Sequence, residues 1–155
     1  MDLIGVNRSY KVAHADVWCT VDSDAWRRAF RYFKPTRPRP SVLYLRKTAL
    51  DGFRYNVPSN VVIVKDFLGN SGLFGIHIAK LLGYEEINLL GFDVHTVDHF
   101  EGPGHPGNSW QREMTRMTLW KMRDDGRLRL WNGSGFVPLV EAITWDEKGR
   151  WLRTI

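Results

Sequence analysis

The stretch from Asn70 to Phe92 limits the possible folds more than any other part of the chain. From Asn70 to Leu82 the apolar residues Leu73, Phe74, Ile76, Ile78, Ala79, Leu81 and Leu82 run most of the way around a helical period. A helix of that kind belongs inside a protein rather than on its surface. Gly83 follows, at the position where a left-handed residue ends a helix. Glu86 to Phe92 then gives a continuous apolar run (Ile87, Leu89, Leu90) bounded by Gly91, which suits a strand covered on both faces, as in a parallel sheet. A buried helix feeding a buried strand needs layers on both sides.

The rest of the chain continues the alternation. Leu3 to Val6 is a short apolar strand ending at Asn7, and Asp16 to Val21 a second ending at Asp22. Ser23-Asp24 reads as the cap of a helix to about Phe33, with Trp26, Phe30 and Phe33 on one face. Lys34 to Pro40 holds three prolines and cannot be regular structure. Ser41 to Leu45 and Val61 to Val64 are further strands, with a turn-rich segment between them. Asp93 to Asn108 reads as a loop, Ser109 to Arg123 as a helix with Trp110, Met114, Met117 and Trp120 or Lys121 along one side, and Leu128 to Trp131 as a strand. Val137 to Trp145 fits either a last strand or a short helix. The expectation is a single α/β domain over residues 1–155 with a Rossmann-like, mostly parallel sheet flanked by helices.

The 155 residues suffice for one real core, and a lone cysteine, Cys19, excludes an internal disulfide and a four-cysteine zinc site. No apolar run approaches the length of a membrane span, and MDLIGVNRS lacks the pattern of a signal peptide. A cytoplasmic protein with no membrane partner is expected. The net charge is +5, and between Arg27 and Arg54 nine Lys or Arg face a single acid, Asp51. Such a stretch attracts phosphate-bearing ligands of any size, or simply keeps a surface solvated. No zinc-finger spacing, RNA-recognition-motif signature or basic-plus-heptad helix is present.

In an open parallel sheet, ligands sit beyond the carboxyl ends of the strands. There the sequence places Asn7, Asp22, the group Gly69-Asn70-Ser71-Gly72, and Asp93 to His105. Gly69, Asn70, Ser71 and Gly72 open the buried helix, where glycines, free amides and the helix dipole favour an anion. The bland alternative is a plain cap by Asn70 or Ser71. No P-loop lysine is present, which argues against P-loop ATPase or GTPase chemistry. Asp93 to His105 carries His95, His99 and His105 with Asp93, Asp98 and Glu101. These can supply a general base or ligands for a divalent metal, though their spacing matches no metal motif, so no metal residue is assigned. Asn7 can donate and accept at once, which suits a base edge or a ribose hydroxyl, or it can shape its own turn. His77 reads as a core residue, His14 as surface, and Cys19 as a small buried hydrophobe.

Three features together resemble known families: Gly69-Asn70-Ser71-Gly72, the helix end Lys80-Leu81-Leu82-Gly83-Tyr84, and Ile87-Asn88-Leu89-Leu90-Gly91-Phe92-Asp93. They are similar to the small bacterial CMP-sialic-acid sialyltransferases and to the MptE-like pterin diphosphokinases with their related phage proteins, often labelled norphogenetic. The phage group looks closest. Its early segment is matched by Asn7-Arg8-Ser9-Tyr10, Ala15-Asp16-Val17 and Asp22 to Trp26. Its loop is matched by Gly91, Asp93, His99-Phe100, Gly102 and Gly104-His105-Pro106, and its strand-and-Asn ending by Leu130-Trp131-Asn132. The resemblance covers roughly residues 3 to 140. It implies a Rossmann-like fold holding a nucleotide or nucleotide-sugar, with CMP the suspected donor moiety. Asn7 and Ser71 would make the nucleotide contacts, with Gly69, Asn70, Gly72 and Asp93 around them, and His105 or His99 would act as base in glycosyl or phosphoryl transfer. The Gly-rich segment that relatives carry ahead of the Asn strand has no counterpart before Leu3, and the tyrosines that assist the departing phosphate have no clear match. Two alternatives to a transferase stand, the first from these departures and the second from the basic stretch Arg27 to Arg54. One is a non-catalytic descendant serving as a virion component or host-protein partner. The other is a basic nucleic-acid-binding protein.

Overall fold

The computed structural model describes residues 2–11, 13–33, 39–92, 109–132, 134–145 and 151–152. It is an α/β fold, and its chain divides into two compact units, Met1–Leu82 and Gly83–Ile155.

The first unit is built on four parallel strands, β1 (Ile4–Val6), β2 (Val17–Thr20), β3 (Val42–Arg46) and β4 (Val61–Val64), lying side by side in sequence order. The register pairs Val6 with Cys19, Cys19 with Tyr44 and Tyr44 with Val62. Alternation along the strands sorts their side chains to two faces. Trp18, Leu43 and Leu45 turn to one, where Tyr10, Trp26, Ala29, Phe33 and Ala49 close over them. These come from helix α1 (Ser23–Tyr32) and from two 3-10 turns, Asn7–Lys11 and Lys47–Leu50. All three strand-to-strand connections thus cover the same face, as required when parallel strands step in one direction through crossovers of one hand.

The other face carries Ile4, Val6, Val17, Cys19, Tyr44 and Val64 and receives helix α2 (Ser71–Leu81) through Phe74 and Ile78. Helix α2 leaves the β4 edge and runs back over β1 and β2. The apolar circumference read in the sequence is realised over most of the helix, where Leu73, Phe74, Ile76, Ile78 and Ala79 are all buried, but not in its last turn, where Leu81 and Leu82 are exposed. Gly75 sits at the closest approach. A Cβ there would lie 2.9 Å from a Val6 methyl and 3.7 Å from the Cys19 sulfur, so only glycine lets the helix seat at this depth. The helix ends as expected, with Gly83 at φ +80°.

The cap of α1 differs from expectation. The residue at the cap is Asp22, and its side chain bonds no helix amide. Its carboxylate accepts a hydrogen bond from Ser71 instead (3.0 Å).

The second unit contains strands β5 (Ile87–Leu89), β6 (Leu128–Trp131) and β7 (Phe136–Pro138) in that order, the first pair parallel and the second antiparallel. Helix α3 (Ser109–Lys121) lies between β5 and β6 in the chain. A short helix α4 (Leu139–Ala142) packs on β6 and β7, and β8 (Thr144–Trp145) pairs antiparallel with β9 (Trp151–Leu152). The ambiguous segment from Val137 to Trp145 therefore holds strand, helix and strand in turn. Strand β5 is shorter than the apolar run suggested: Ile87 and Leu89 are buried, while Asn88 and Leu90 are exposed and Gly91 takes φ +76°. The run is an alternating strand plus one exposed leucine, not a strand buried on both faces.

Candidate functional site

At the carboxyl ends of β1 and β2, next to the start of α2, four polar side chains form one connected group. Asn7 follows β1 directly and is the sole non-glycine at positive φ (+51°) among the described residues. Asn tolerates this left-handed geometry better than other side chains because its short amide bonds locally. The Asn7 carbonyl accepts from the Trp18 indole N–H (2.9 Å), fixing the turn to the core. Gly5 allows the turn to fold back. A Cβ there would lie 2.7 Å from the Ser9 hydroxyl and 2.9 Å from the Ala15 methyl.

Thr20 is fully buried at the end of β2 and acts as the hub. Its hydroxyl donates to Asn7 Oδ1 (2.6 Å) and accepts from the Asp22 amide (3.1 Å). Ser71, the first residue of α2 and only 2% exposed, donates its hydroxyl to Asp22 Oδ2 and accepts from the Val21 amide at 3.1 Å. Each hydroxyl has one proton, and both are committed, so the 3.2 Å approach of Thr20 Oγ1 to Ser71 Oγ is a contact between two acceptors. The group ties the ends of β1, β2 and α2 together without a ligand.

What it offers outward follows by subtraction. Asn7 Oδ1 is used, while its Nδ2 has no partner among the described residues and is not a buried, unsatisfied atom. One Asp22 oxygen is used by Ser71, on a residue that is itself exposed. At the start of α2, Asn70 Oδ1 caps the Leu73 amide (3.0 Å) and the Asn70 carbonyl receives the Phe74 amide (2.9 Å). The plain-cap reading of Asn70 is therefore realised. The Ser71 and Gly72 amides have no acceptor among the described residues. Gly69 stands at φ +152°, and a Cβ there would meet the Phe67 ring at 2.8 Å. The positive φ, together with the Phe67 ring in the space a side chain would need, accounts for glycine at that position without a ligand.

Of the sequence candidates, the structure brings together Asn7, Asn70, Ser71 and the glycines beside them. Asp93, His95, His99 and His105 lie outside the described residues. Ser71 points its hydroxyl inward, so its outward-facing asset is a backbone amide. Asp22 changes the electrostatics expected at this helix start: its carboxylate already faces the positive end of α2, so an anion beside Ser71 would meet charge of its own sign. Thr20 is the residue the motifs do not single out, and Asp22, though placed at a strand end, is given no role by them. The available signal was a hydroxyl at the end of an otherwise apolar strand, two residues before an acid.

Cys19 lies on the α2 face of β2, fully buried, and burial pushes its thiol up to about 12. A thiol so protonated is no nucleophile near neutral pH. His77 packs beside Phe67 and Phe74 (ring centroids 5.3 and 6.4 Å) but is only half-buried, at the margin of the core rather than within it, while His14 is exposed, as read from the sequence. Among the described residues no three His, Cys, Asp or Glu side chains converge as metal ligands, and no helix is long and apolar enough to cross a membrane.

Comparison with protein-family models, with curated proteins and with solved structures finds no match.

Proposed function

We propose that this chain binds a nucleotide or nucleotide-sugar at the carboxyl ends of β1 and β2. The observation that carries the reading is Asn7, held at φ +51° with its oxygen anchored on Thr20 and its Nδ2 left to donate. A residue kept in a sparsely populated conformation, with one half of its amide locked and the other open, is arranged to present a donor. Beside it Asp22 supplies an acceptor. A donor and a carboxylate side by side suit ribose hydroxyls or the edge of a base, while the phosphates lie away from Asp22. The strand ends of an open parallel sheet are where such ligands bind.

The resemblance to CMP-sialic-acid sialyltransferases and phage norphogenetic proteins makes CMP the first nucleotide to try. In the transferase form of this reading, His99 or His105 takes the proton of an acceptor hydroxyl. The test is a thermal shift with CMP and other nucleotides on the wild type and on Asn7→Asp. A ligand at a hundred times its Kd stabilises by about 2.7 kcal/mol. The proposal expects a rise in Tm with at least one nucleotide that is lost in Asn7→Asp. No rise with any nucleotide at millimolar concentration, or a rise that Asn7→Asp leaves unchanged, contradicts it.

A further inference from the structure

The basic segment from Arg27 to Arg54 is absorbed by none of the above. It holds nine cations to one acid, and three of those cations, Arg27, Arg31 and Arg54, are carried by the same helix and turn that build an aromatic shelf. Helix α1 buries Ala25, Trp26 and Ala29 and leaves Arg27, Arg28 and Arg31 exposed. Arg28 is neutralised by Asp24 (2.9 Å). Arg27 and Arg31, one turn apart on the same stripe, are not. Arg27 donates to the Asp51 carbonyl (2.7 Å), a neutral acceptor, so it clamps the 51–53 turn against α1 and keeps its charge.

That clamp sets the next residues. Phe53 packs against Trp26 (5.2 Å) and edge-on against Phe30 (5.0 Å), closing the margin of the core. Tyr55 then stacks on Phe30, ring centroids 5.6 Å apart and planes within 24°, yet remains 64% exposed. Arg54 stands between the two rings in sequence, is exposed, and like Arg31 has no acidic partner among the described residues. A flat ring held from beneath by another ring, with its surface in water, next to Arg54 in sequence and stacked on a helix that carries Arg27 and Arg31, is a base-stacking platform on a basic stretch of chain.

We infer that the α1–Tyr55 face binds single-stranded nucleic acid, the arginines following the phosphates and Tyr55 stacking a base. An acidic peptide or an anionic membrane matches the charge but makes no use of the stacked ring. In a duplex the bases are not free to use it. This surface is separate from Asn7, and the inference does not depend on the nucleotide reading.

The test is fluorescence anisotropy of a labelled oligothymidine of about 20 nucleotides titrated with the full chain over a range of salt. Binding at low salt that weakens steadily as salt rises is expected. Tyr55→Ala should weaken it about ten-fold with the salt slope kept, whereas Tyr55→Phe should bind like the wild type. Arg31→Gln and Arg54→Gln should each lower the salt slope by about 0.7. Asn7→Asp should leave this binding unchanged. Circular dichroism of each variant excludes misfolding as the cause, since the substituted side chains are exposed. The inference is overturned by absence of binding at low salt, by binding indifferent to Tyr55→Ala, by equal or tighter binding to duplex, or by capture on phosphatidylserine vesicles with none on the oligonucleotide.

Discussion

Replacing Asn7 in three ways separates its conformation, its anchor and its free donor. Asn7→Ala keeps φ +51° as a demand but removes the tolerance for it, at about 1–2 kcal/mol for a left-handed residue. It also removes the acceptor of the 2.6 Å bond from Thr20, worth about 1 kcal/mol net. Together the loss is about 2–3 kcal/mol, or roughly 4–12 °C in Tm for a chain of this size. Asn7→Gly loses the same bond but relieves the strain, so it should recover about half of that deficit. Asn7→Asp keeps an acceptor for Thr20 and tolerates the same φ, so its stability should stay within about 1 kcal/mol of the wild type. Urea denaturation with a common m-value measures all three. Equal stability of the alanine and glycine variants would refute the claim that this turn is strained. A large destabilisation by Asn7→Asp that persists at high salt, where repulsion from the nearby Asp22 carboxylate is screened, would show that Nδ2 has a structural partner and is not free for a ligand.

Two further perturbations probe the frame that positions the site. Gly75→Ala gains about 1 kcal/mol of helix propensity but forces a methyl to 2.9 Å from Val6, and overpacking of this kind costs about 1–3 kcal/mol. It should be neutral to about 2 kcal/mol destabilising in urea, and Gly75→Val clearly worse; a stabilised valine variant would show that α2 is not seated on β1 as described. Cys19 gives a pH prediction. Its folded thiol is pushed up to about 12 from an ordinary 9.0, so above pH 9 the unfolded state loses its proton while the folded state keeps it. Stability from this group is complete below pH 9 and falls by about 1.4 kcal/mol per pH unit between 9 and 12. Cys19→Ala should unfold with a correspondingly shallower pH dependence over that window, and identical slopes would contradict the burial.

The sequence made the scaffold legible because periodicity reports burial directly. The strands at Leu3, Asp16, Ser41 and Val61 and the helix from Asn70 appear where alternation and apolar circumference place them. The positions that escaped are those where a local rule met a tertiary competitor. Ser23-Asp24 reads as a helix cap, but Asp22 occupies the cap and gives its carboxylate to Ser71, which lies 49 residues away. Gly69 reads as room for a ligand, but Phe67 fills the space a Cβ would need. The turns at Asn7–Lys11 and Lys47–Leu50 carry no period to read, and the first depends on a positive φ that Asn happens to allow. Thr20 was invisible as a hub because one buried hydroxyl looks the same in sequence whether it serves its own strand or joins three elements. Nearness of Asn7 to Ser71 is an expectation from the strand ends; the hydrogen bonds that run from Asn7 through Thr20 and Asp22 to Ser71 supply the physical link.

The most direct test of the account is a titration of 15N-labelled protein with CMP, followed by backbone and side-chain amide shifts. The account predicts that the Asn7 side-chain NH2 and the amides of Val21, Asp22 and Gly72 move together with one binding constant, while those of Arg31 and Tyr55 stay in place. No movement at millimolar CMP or any other nucleotide, or movement confined to residues away from the ends of β1 and β2, would contradict it.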